Sequence, residues 1–421
     1  MFNDFLEELN LCSRCGFCQN VCPTYKAKRI EGSVARGRIR LAKIVEEGNY
    51  KWSRNSKINE YINDCLLCGA CVSVCPGAVP TPELMIRARQ NINQNSGFTA
   101  IHKLVYKGVL CDQKKLKFGR KLLRFYQATG MSFLLRSTKV LGAVPKLKEL
   151  EERLPDVPKQ SFFEMLPKIQ VKLQNPIYKL GYFCGCATNS FYGNVAVSAA
   201  KVLQKLNYEV SFPRVECCGE PQKSIGDLDG ARNLARRNID IFLENNFDYI
   251  LTDCATCGSA LKNYGKLLEN DDLYKEKSKK FSSMVYDLNE FLIEQSKIST
   301  KLNPLDNHKQ IKVTYHDPCH QVRGQNIASA PREVLKSIPG VKLIEMEEAD
   351  TCCGGAGAYG FIHGDLSQKI LKSKMNHAKA TGANYLATSC PACMMQLEYG
   401  IRHEKLDIKL VHPIELLELA L

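Results

Sequence analysis

The chain has 421 residues, 44% of them hydrophobic, with 20 cysteines and a formal net charge of +14. That length exceeds one ordinary domain and predicts two or three. No apolar run approaches the ~20 residues that a helical membrane span requires, which excludes that class.

The charge is unevenly placed: residues 1–160 hold 27 Lys+Arg against 14 Asp+Glu, whereas residues 161–421 hold 31 and 30. The start, Met1-Phe2-Asn3-Asp4, lacks a basic stretch followed by an apolar core. A reduced, cytoplasmic setting is therefore expected, in which clustered cysteines mean metal or redox work rather than disulfides.

In chain order, Asn3 to Leu11 reads as a short helix feeding a cysteine loop. Cys12, Cys15, Cys18 and Cys22-Pro23 follow, and the same C-x2-C-x2-C-x3-C-P spacing recurs at Cys65, Cys68, Cys71 and Cys75-Pro76. This is the bacterial-type run for two [4Fe–4S] clusters, where the fourth cysteine of each run serves the other cluster. Proline restricts the residue before it to extended backbone, so Cys22 and Cys75 should leave their own loops. The expected assignment is Cys12, Cys15, Cys18 and Cys75 on one cluster, and Cys65, Cys68, Cys71 and Cys22 on the other. Structural zinc also uses Cys-x2-Cys pairs, but it needs neither the triplet nor the Cys-Pro.

Between the loops, Ser33 to Gly48 has helical spacing of Leu41, Ile44 and Val45. Arg36 and Arg38 at its start could offset the charge of thiolate-held clusters and raise their potential, or could simply line a solvated helix end. Further helices are expected at Ile58–Asn63 and Glu83–Gln90. Residues 1–100 are thus predicted to form a helical ferredoxin-type domain.

Residues 101–170 read as a basic helical linker. From Lys103 to Arg153 there are 13 basic and 4 acidic residues, with Leu116, Leu122, Leu123, Phe125, Phe133 and Leu134 interspersed. A basic amphipathic segment suits a membrane surface or an acidic partner, although a solvated face packed on flanking domains is the plainer reading. No nucleic-acid module accompanies it.

From residue 177 the texture becomes α/β. Strands are predicted at 178–183, 208–212, 249–252, 311–315, 341–345 and 385–388, with helices such as 196–206 and 229–244 between them. The cysteines reveal a tandem repeat: Cys186, Cys217-Cys218-Gly219 and Cys254-x2-Cys257 return as Cys319, Cys352-Cys353-Gly354 and Cys390-x2-Cys393, displaced by 133, 135 and 136 residues. Domains are accordingly expected at 171–303 and 304–421. Five thiols per unit suit a multinuclear iron–sulfur site, or a zinc site with a spare cysteine. Gly219 and Gly354 permit the sharp bend that lets adjacent cysteines face one site. Each Cys-x2-Cys follows a strand and opens a helix, where backbone N–H groups favour thiolate.

The doubled Cys-Cys-Gly unit resembles the cysteine-rich repeat of the heterodisulfide reductases. That family holds a non-cubane [4Fe–4S] cluster there, and some relatives carry zinc in one copy. The whole order, two ferredoxin motifs and then two such repeats, resembles the iron–sulfur subunit of glycolate oxidase, a likeness strengthened by Arg36-Gly37-Arg38-Ile39 and by Cys75-Pro76-Gly77-Ala78-Val79-Pro80. Ala35 stands where many relatives have proline. The resemblance implies Cys186, Cys217, Cys218, Cys254 and Cys257 as ligands in the first repeat, with Cys184 as the rival to Cys186. In the second it implies Cys319, Cys352, Cys353, Cys390 and Cys393. It also implies a separate FAD-binding subunit that oxidises glycolate, lactate or another 2-hydroxyacid, with electrons passing to a quinone or other acceptor. No flavin or NAD site is expected on this chain, and no catalytic residue is assigned. Two other roles stay open: disulfide reduction at a cluster, and service to an anaerobic glycerol-3-phosphate dehydrogenase at the inner face of the membrane.

Gly355-x-Gly357-x-x-Gly360 spells a dinucleotide fingerprint but follows cysteines rather than a strand, and no acidic residue lies about twenty positions on. Glycines shaping the turn at the second site explain it better. His316 and His320 flank Cys319 and are expected to be buried histidines with ordinary hydrogen bonds. Cys111 has no assigned role.

Overall fold

Two four-stranded parallel sheets carry the paired cysteines. The computed structural model describes residues 5–130, 145–169, 173–296, 298, 302–305, 310–357 and 359–421. The first sheet contains β1 (Lys179–Tyr182), β2 (Glu209–Ser211), β3 (Tyr249–Thr252) and β4 (Val285–Asp287), in the order β2-β1-β3-β4. The second contains β5 (Ile311–Tyr315), β6 (Val341–Leu343), β7 (Tyr385–Ala387) and β8 (Lys409–Val411), in the order β6-β5-β7-β8. All neighbours are parallel, with Leu180 opposite Tyr249 in the first sheet and Val313 opposite Tyr385 in the second. The internal repeat read from cysteine spacing is therefore a repeat of fold. The edge strands β4 and β8 were not anticipated; each runs directly into the cap of the next helix, Asp287 and His412, so the helix pattern hides it.

The two repeats share one apolar core. Leu180, Tyr182, Val195 and Leu203 of the first join Val313, Tyr315, Leu335 and Leu417 of the second in a single cluster of buried side chains. The helix Gly193–Lys205 packs against the C-terminal helix Pro413–Ala420. The strands inside the sheets, such as β3 and the end of β5, are buried along their length and read as near-continuous apolar runs.

The first hundred residues are helical where described: Phe5–Asn10, Ala35–Glu46, Lys57–Asn63 and Thr81–Ser96 are the main elements. Asn3 and Asp4, the start of the first expected helix, lie outside the described residues. The helix expected at 83–90 is longer, running Thr81–Ser96, because Pro82 takes a first-turn position that needs no N–H donor. A core of Phe5, Leu9, Ile39, Ala42, Ile62, Leu84, Met85, Ala88 and Ile92 holds this region together.

It docks on both repeats. Lys26 pairs with Glu348 at 2.6 Å, and Tyr359 Oη donates to Asp64 O at 3.0 Å, both contacts to the second repeat. Arg89 and Asn93 on the Thr81–Ser96 helix donate to Ser224 O and Ile225 O of the first, at 2.6 and 2.7 Å. Gly226 makes the approach possible: it sits at φ +84°, and a Cβ there would lie 2.5 Å from Gln90 N.

The linker is helical where described, with a π-type turn at Lys103–Val109 and α-helices at Gln113–Ala128 and Pro145–Glu152. Phe133 and Leu134 lie outside the described residues. Asp112 caps the middle helix by accepting from Lys114 N at 2.8 Å. Buried Arg120 anchors one face, donating to Pro158 O at 2.9 Å and Glu164 Oε2 at 2.6 Å.

Candidate metal centres

The two ferredoxin loops fold alike. Arg14 and Leu67, the residues before the second cysteine of each loop, have φ of 60° and 56°, and the glycines after it, Gly16 and Gly69, have φ of 93° and 70°. Holding non-glycine residues in the left-handed region costs about 1–2 kcal/mol each and persists where the surroundings impose it. Here it shapes the backbone of both loops alike.

Cys22 is extended as its proline requires, at φ −78° and ψ 113°. It leaves its own loop and lines a cavity together with Cys65, Cys68, Cys71, Ala70 and Arg38. The run after Cys75 returns the other way, so that a Cβ on Gly77 would lie 3.1 Å from Leu11 O, directly before Cys12. Cys12 and Cys75 flank the same apolar core. The chain path thus brings each fourth cysteine toward the opposite loop. Burial pushes the Cys71 thiol up to about 12, with nearby Cys65 adding to it. Thiols so enclosed are stabilised as thiolates only by a cation, which fits a cluster.

The two arginines differ. Arg38 is 2% exposed and donates to Tyr61 O at 2.7 Å and to Thr24 Oγ1 at 3.0 Å. Burial opposes its charge, but nearby Cys65, Cys22 and Asp64 more than offset this and raise its pKa. It therefore lies against the Cys22–Cys65 cavity and not in solvent. Arg36 is more open, paired with Glu31 at 2.6 Å and reaching Arg14 O at 3.4 Å above the first loop. Sequence reasoning missed Arg89, whose guanidinium holds the carbonyls of Ile62, Asn63 and Cys65 beneath the second loop. Lying mid-helix with no motif around it, Arg89 carried no signal.

In each repeat the five expected cysteines come together from three segments. Cys186 and Cys319 open the short helices Cys186–Phe191 and Cys319–Val322. Cys254 and Cys390 cap the helices Ala255–Lys262 and Pro391–His403 directly after β3 and β7. Gly219 and Gly354, at φ +86° and +84°, make the bend at each cysteine pair.

The thiols of the first repeat contact one another in the order Cys186–Cys217–Cys218–Cys257–Cys254, and those of the second in the order Cys319–Cys352–Cys353–Cys393–Cys390. Cys254 also meets Cys390, so the ten thiols form one continuous file. Hydrogen bonds from Cys217 and Cys257 bring Cys218 down to about 6. Its neighbour Cys257 is pushed up by the same contact and by burial. A buried file of this kind is a poor set of bare thiols and a good set of metal ligands.

Cys186, not Cys184, touches Cys217. Cys184 points into the apolar core shared by the repeats. Gln222 Nε2 donates to Cys111 Sγ at 3.2 Å, while Gln222 Oε1 accepts from Cys217 Sγ at 3.8 Å, so Cys111 stands one side chain away from the first file. His320 has ordinary partners, Thr256 at 3.5 Å and Glu220 at 3.7 Å, besides Cys319 at 3.8 Å. His316 departs from expectation, because its ring nitrogens have no oxygen or nitrogen partner among the described residues and meet only the thiol of Cys353. Gly355 and Gly357 lie after Cys353 and before the helix Tyr359–Ile362, which contains Gly360, away from any strand end.

The ferredoxin loops adjoin the second repeat. Leu66 packs with Cys352, Tyr359, Leu366 and Ile370, and Cys68 and Cys319 flank that same cluster. The charge of Cys319 acts on Cys68.

Comparison with known proteins agrees with this layout. A 4Fe-4S dicluster domain matches residues 8–79, the cysteine-rich domain matches residues 180–262 and 313–398, and the linker region of glycolate oxidase iron-sulfur subunits matches residues 99–154. A probable glycolate oxidase iron-sulfur subunit of Bacillus subtilis is 32% identical over 99% of this chain and 96% of its own length. The chain belongs to the glycolate oxidase iron–sulfur subunit family. The Escherichia coli glycolate oxidase iron-sulfur subunit is 27% identical over 98% of this chain and 94% of its own. A component of the dihydromethanophenazine:CoB–CoM heterodisulfide reductase of Methanosarcina mazei is 29% identical over 99% and 95%. Both resemblances drawn from the motifs are thus found in one set of relatives. For this family the two repeats and the ferredoxin region imply iron–sulfur clusters.

Proposed function

We propose that this chain is the iron–sulfur electron-transfer subunit of a flavin-dependent 2-hydroxyacid oxidase, with glycolate or lactate as the substrate of an FAD-binding partner. The observation that carries the reading is the spatial order of the thiols. The Cys12 loop adjoins the Cys65 loop, Cys68 adjoins Cys319, and Cys390 meets Cys254.

The proposed ligands are Cys12, Cys15, Cys18 and Cys75 for one [4Fe–4S] cluster and Cys65, Cys68, Cys71 and Cys22 for the other. Cys186, Cys217, Cys218, Cys254 and Cys257 serve the first repeat, and Cys319, Cys352, Cys353, Cys390 and Cys393 the second. Clusters bound there would each take up and release one electron at a time, which matches a flavin that gives up two in sequence. Arg38 supplies positive charge beside the second loop, and Arg89 fixes that loop against the first repeat. Burial of the cysteine file excludes water from the path. The domains run 1–100, 101–170, 171–303 and 304–421.

The linker helix supplies a contact surface. Phe118, Leu122 and Phe125 are 68%, 60% and 60% exposed on one face of Gln113–Ala128, bordered by exposed Lys114, Lys115, Lys117 and Lys121. An apolar stripe with a basic border suits the anionic inner face of the cell membrane, where a quinone acceptor would be found. No helix among the described residues is long and apolar enough to cross the bilayer, so this contact is peripheral.

Anaerobic purification tests the whole. About sixteen irons with matching sulfide, bleaching by dithionite and a co-purifying flavoprotein are expected. Colourless protein whose only metal is redox-silent would defeat the reading.

A further inference from the structure

The two repeats correspond position by position, and the correspondence isolates a difference. Phe183 and His316 are the first residues beyond β1 and β5. Phe183 N donates to Leu251 O at 2.8 Å, and His316 N donates to Ala387 O at 2.9 Å, the matching carbonyls of β3 and β7. Phe183 is fully buried and stacks on Phe242. His316 is equally buried, yet its ring nitrogens find no oxygen or nitrogen partner among the described residues and meet only the thiol of Cys353. A buried polar atom left in that condition costs about 1–3 kcal/mol, so an imidazole in place of phenyl needs a reason.

The reason lies in what it faces. A ring nitrogen of His316 and the Sγ atoms of Cys353 and Cys393 all lie within 4.8 Å of one another. Bond lengths of about 2.0–2.1 Å to nitrogen and ~2.3 Å to sulfur let one ion bridge three donors so arranged, after a small contraction. A second exchange accompanies the first. Asn238 of the first repeat donates to Cys217 O at 3.0 Å. Its counterpart on the matching helix, Lys374, is buried beside Cys352 and Cys353 and donates to Glu348 O and Ala349 O. The second site has therefore gained an imidazole and a cationic side chain where the first has a phenyl and an amide.

We propose that His316 is a metal ligand, making the second repeat a mixed cysteine–histidine centre chemically unlike the first. This rests on the reading that the second cysteine set holds metal. Zinc and a cluster iron both accept this donor set. If the metal is iron, a neutral imidazole added to the same five thiolates, with the cationic Lys374 beside Cys352 and Cys353, makes this centre electronically distinct from that of the first repeat.

The test uses the full chain purified anaerobically with 15N-labelled histidine. Directly bound nitrogen is expected, read by electron–nuclear double resonance if iron is the occupant, or at the zinc absorption edge as a scatterer at about 2.0–2.1 Å if it is zinc. His316→Phe, which copies the first repeat, should abolish the signal, and His320→Phe should keep it. A bound nitrogen that survives His316→Phe, or unsubstituted protein with metal in the second set and no bound nitrogen, overturns the proposal. Metal analysis of Cys353→Ser/Cys393→Ser separates the underlying reading: unchanged iron and zinc counts would show that the set holds no metal, and both claims fall together.

Discussion

Arg89 donates to Ser224 O at 2.6 Å while the other terminal nitrogen of the same guanidinium holds Cys65 O, also at 2.6 Å. One side chain thereby joins the backbone of the second ferredoxin loop to the turn after Cys217-Cys218. Burial opposes its charge and pulls its pKa down, but four accepting carbonyls keep it in place. Arg89→Met should remove about 3 kcal/mol or more of stability, because it also strands buried carbonyls. Arg89→Lys should recover only part, since an ammonium cannot span both partners. The thermal unfolding midpoint of the metal-loaded chain checks this, and a wild-type midpoint in Arg89→Met would count against the coupling.

Arg38 and Arg36 should separate in redox titrations. Loss of the buried cation in Arg38→Gln favours the oxidised, less negative state of the adjacent cluster and lowers its potential, by ~60 mV for each 1.4 kcal/mol of lost stabilisation. Arg36→Gln should move the other cluster less, because Arg36 is paired with half-exposed Glu31 and its field is shared with solvent. Equal shifts in both variants would contradict the burial argument.

Cys184 and Cys186 make a matched pair of substitutions. Cys186→Ser should cost the first repeat its metal with little change to the rest of the fold. Cys184→Ser should retain the metal and cost about 1–3 kcal/mol by placing a hydroxyl in the shared apolar core. Iron counts and chemical unfolding of the two variants give the answer, and a reversed pattern would reassign the ligand.

Gly219→Ala and Gly354→Ala test the bends. Both glycines have positive φ, and an added Cβ would lie 3.2 Å from Ala231 O in one case and 3.0 Å from Ser367 O in the other. Each substitution should destabilise by about 1–2 kcal/mol and lower metal occupancy in its own repeat. Metal per chain, measured repeat by repeat against the cysteine variants, checks it.

The linker stripe predicts salt-sensitive binding to anionic vesicles. Phe118→Glu/Phe125→Glu should abolish flotation with them, and replacing the four exposed lysines should weaken it most at low ionic strength. Undiminished flotation of the double glutamate variant would place the contact elsewhere.

Much of this organisation was legible in the chain because metal ligands impose strict spacing. The C-x2-C-x2-C-x3-C-P runs and the doubled Cys-Cys-Gly unit are local patterns, and Cys-Pro and Cys-Cys-Gly announce their own backbone conformations. The strands β1, β2, β3, β5, β6 and β7 and the main helices were equally visible through apolar patterning. The edge strands β4 and β8 were not, because each leads straight into the cap of the following helix, Asp287 and His412.

Residue order alone determined that eighteen of the twenty cysteines fall into two ferredoxin runs and two repeats, since that is a matter of counting along the chain. Tertiary structure decided which sets adjoin. It put Cys68 beside Cys319 and Cys390 against Cys254, buried Arg38, turned Cys184 away, and set His316 against the thiols of Cys353 and Cys393. Those facts depend on how separate segments pack, and packing is governed by the shared core and by contacts such as Arg89 with Ser224, whose partners are 135 residues apart.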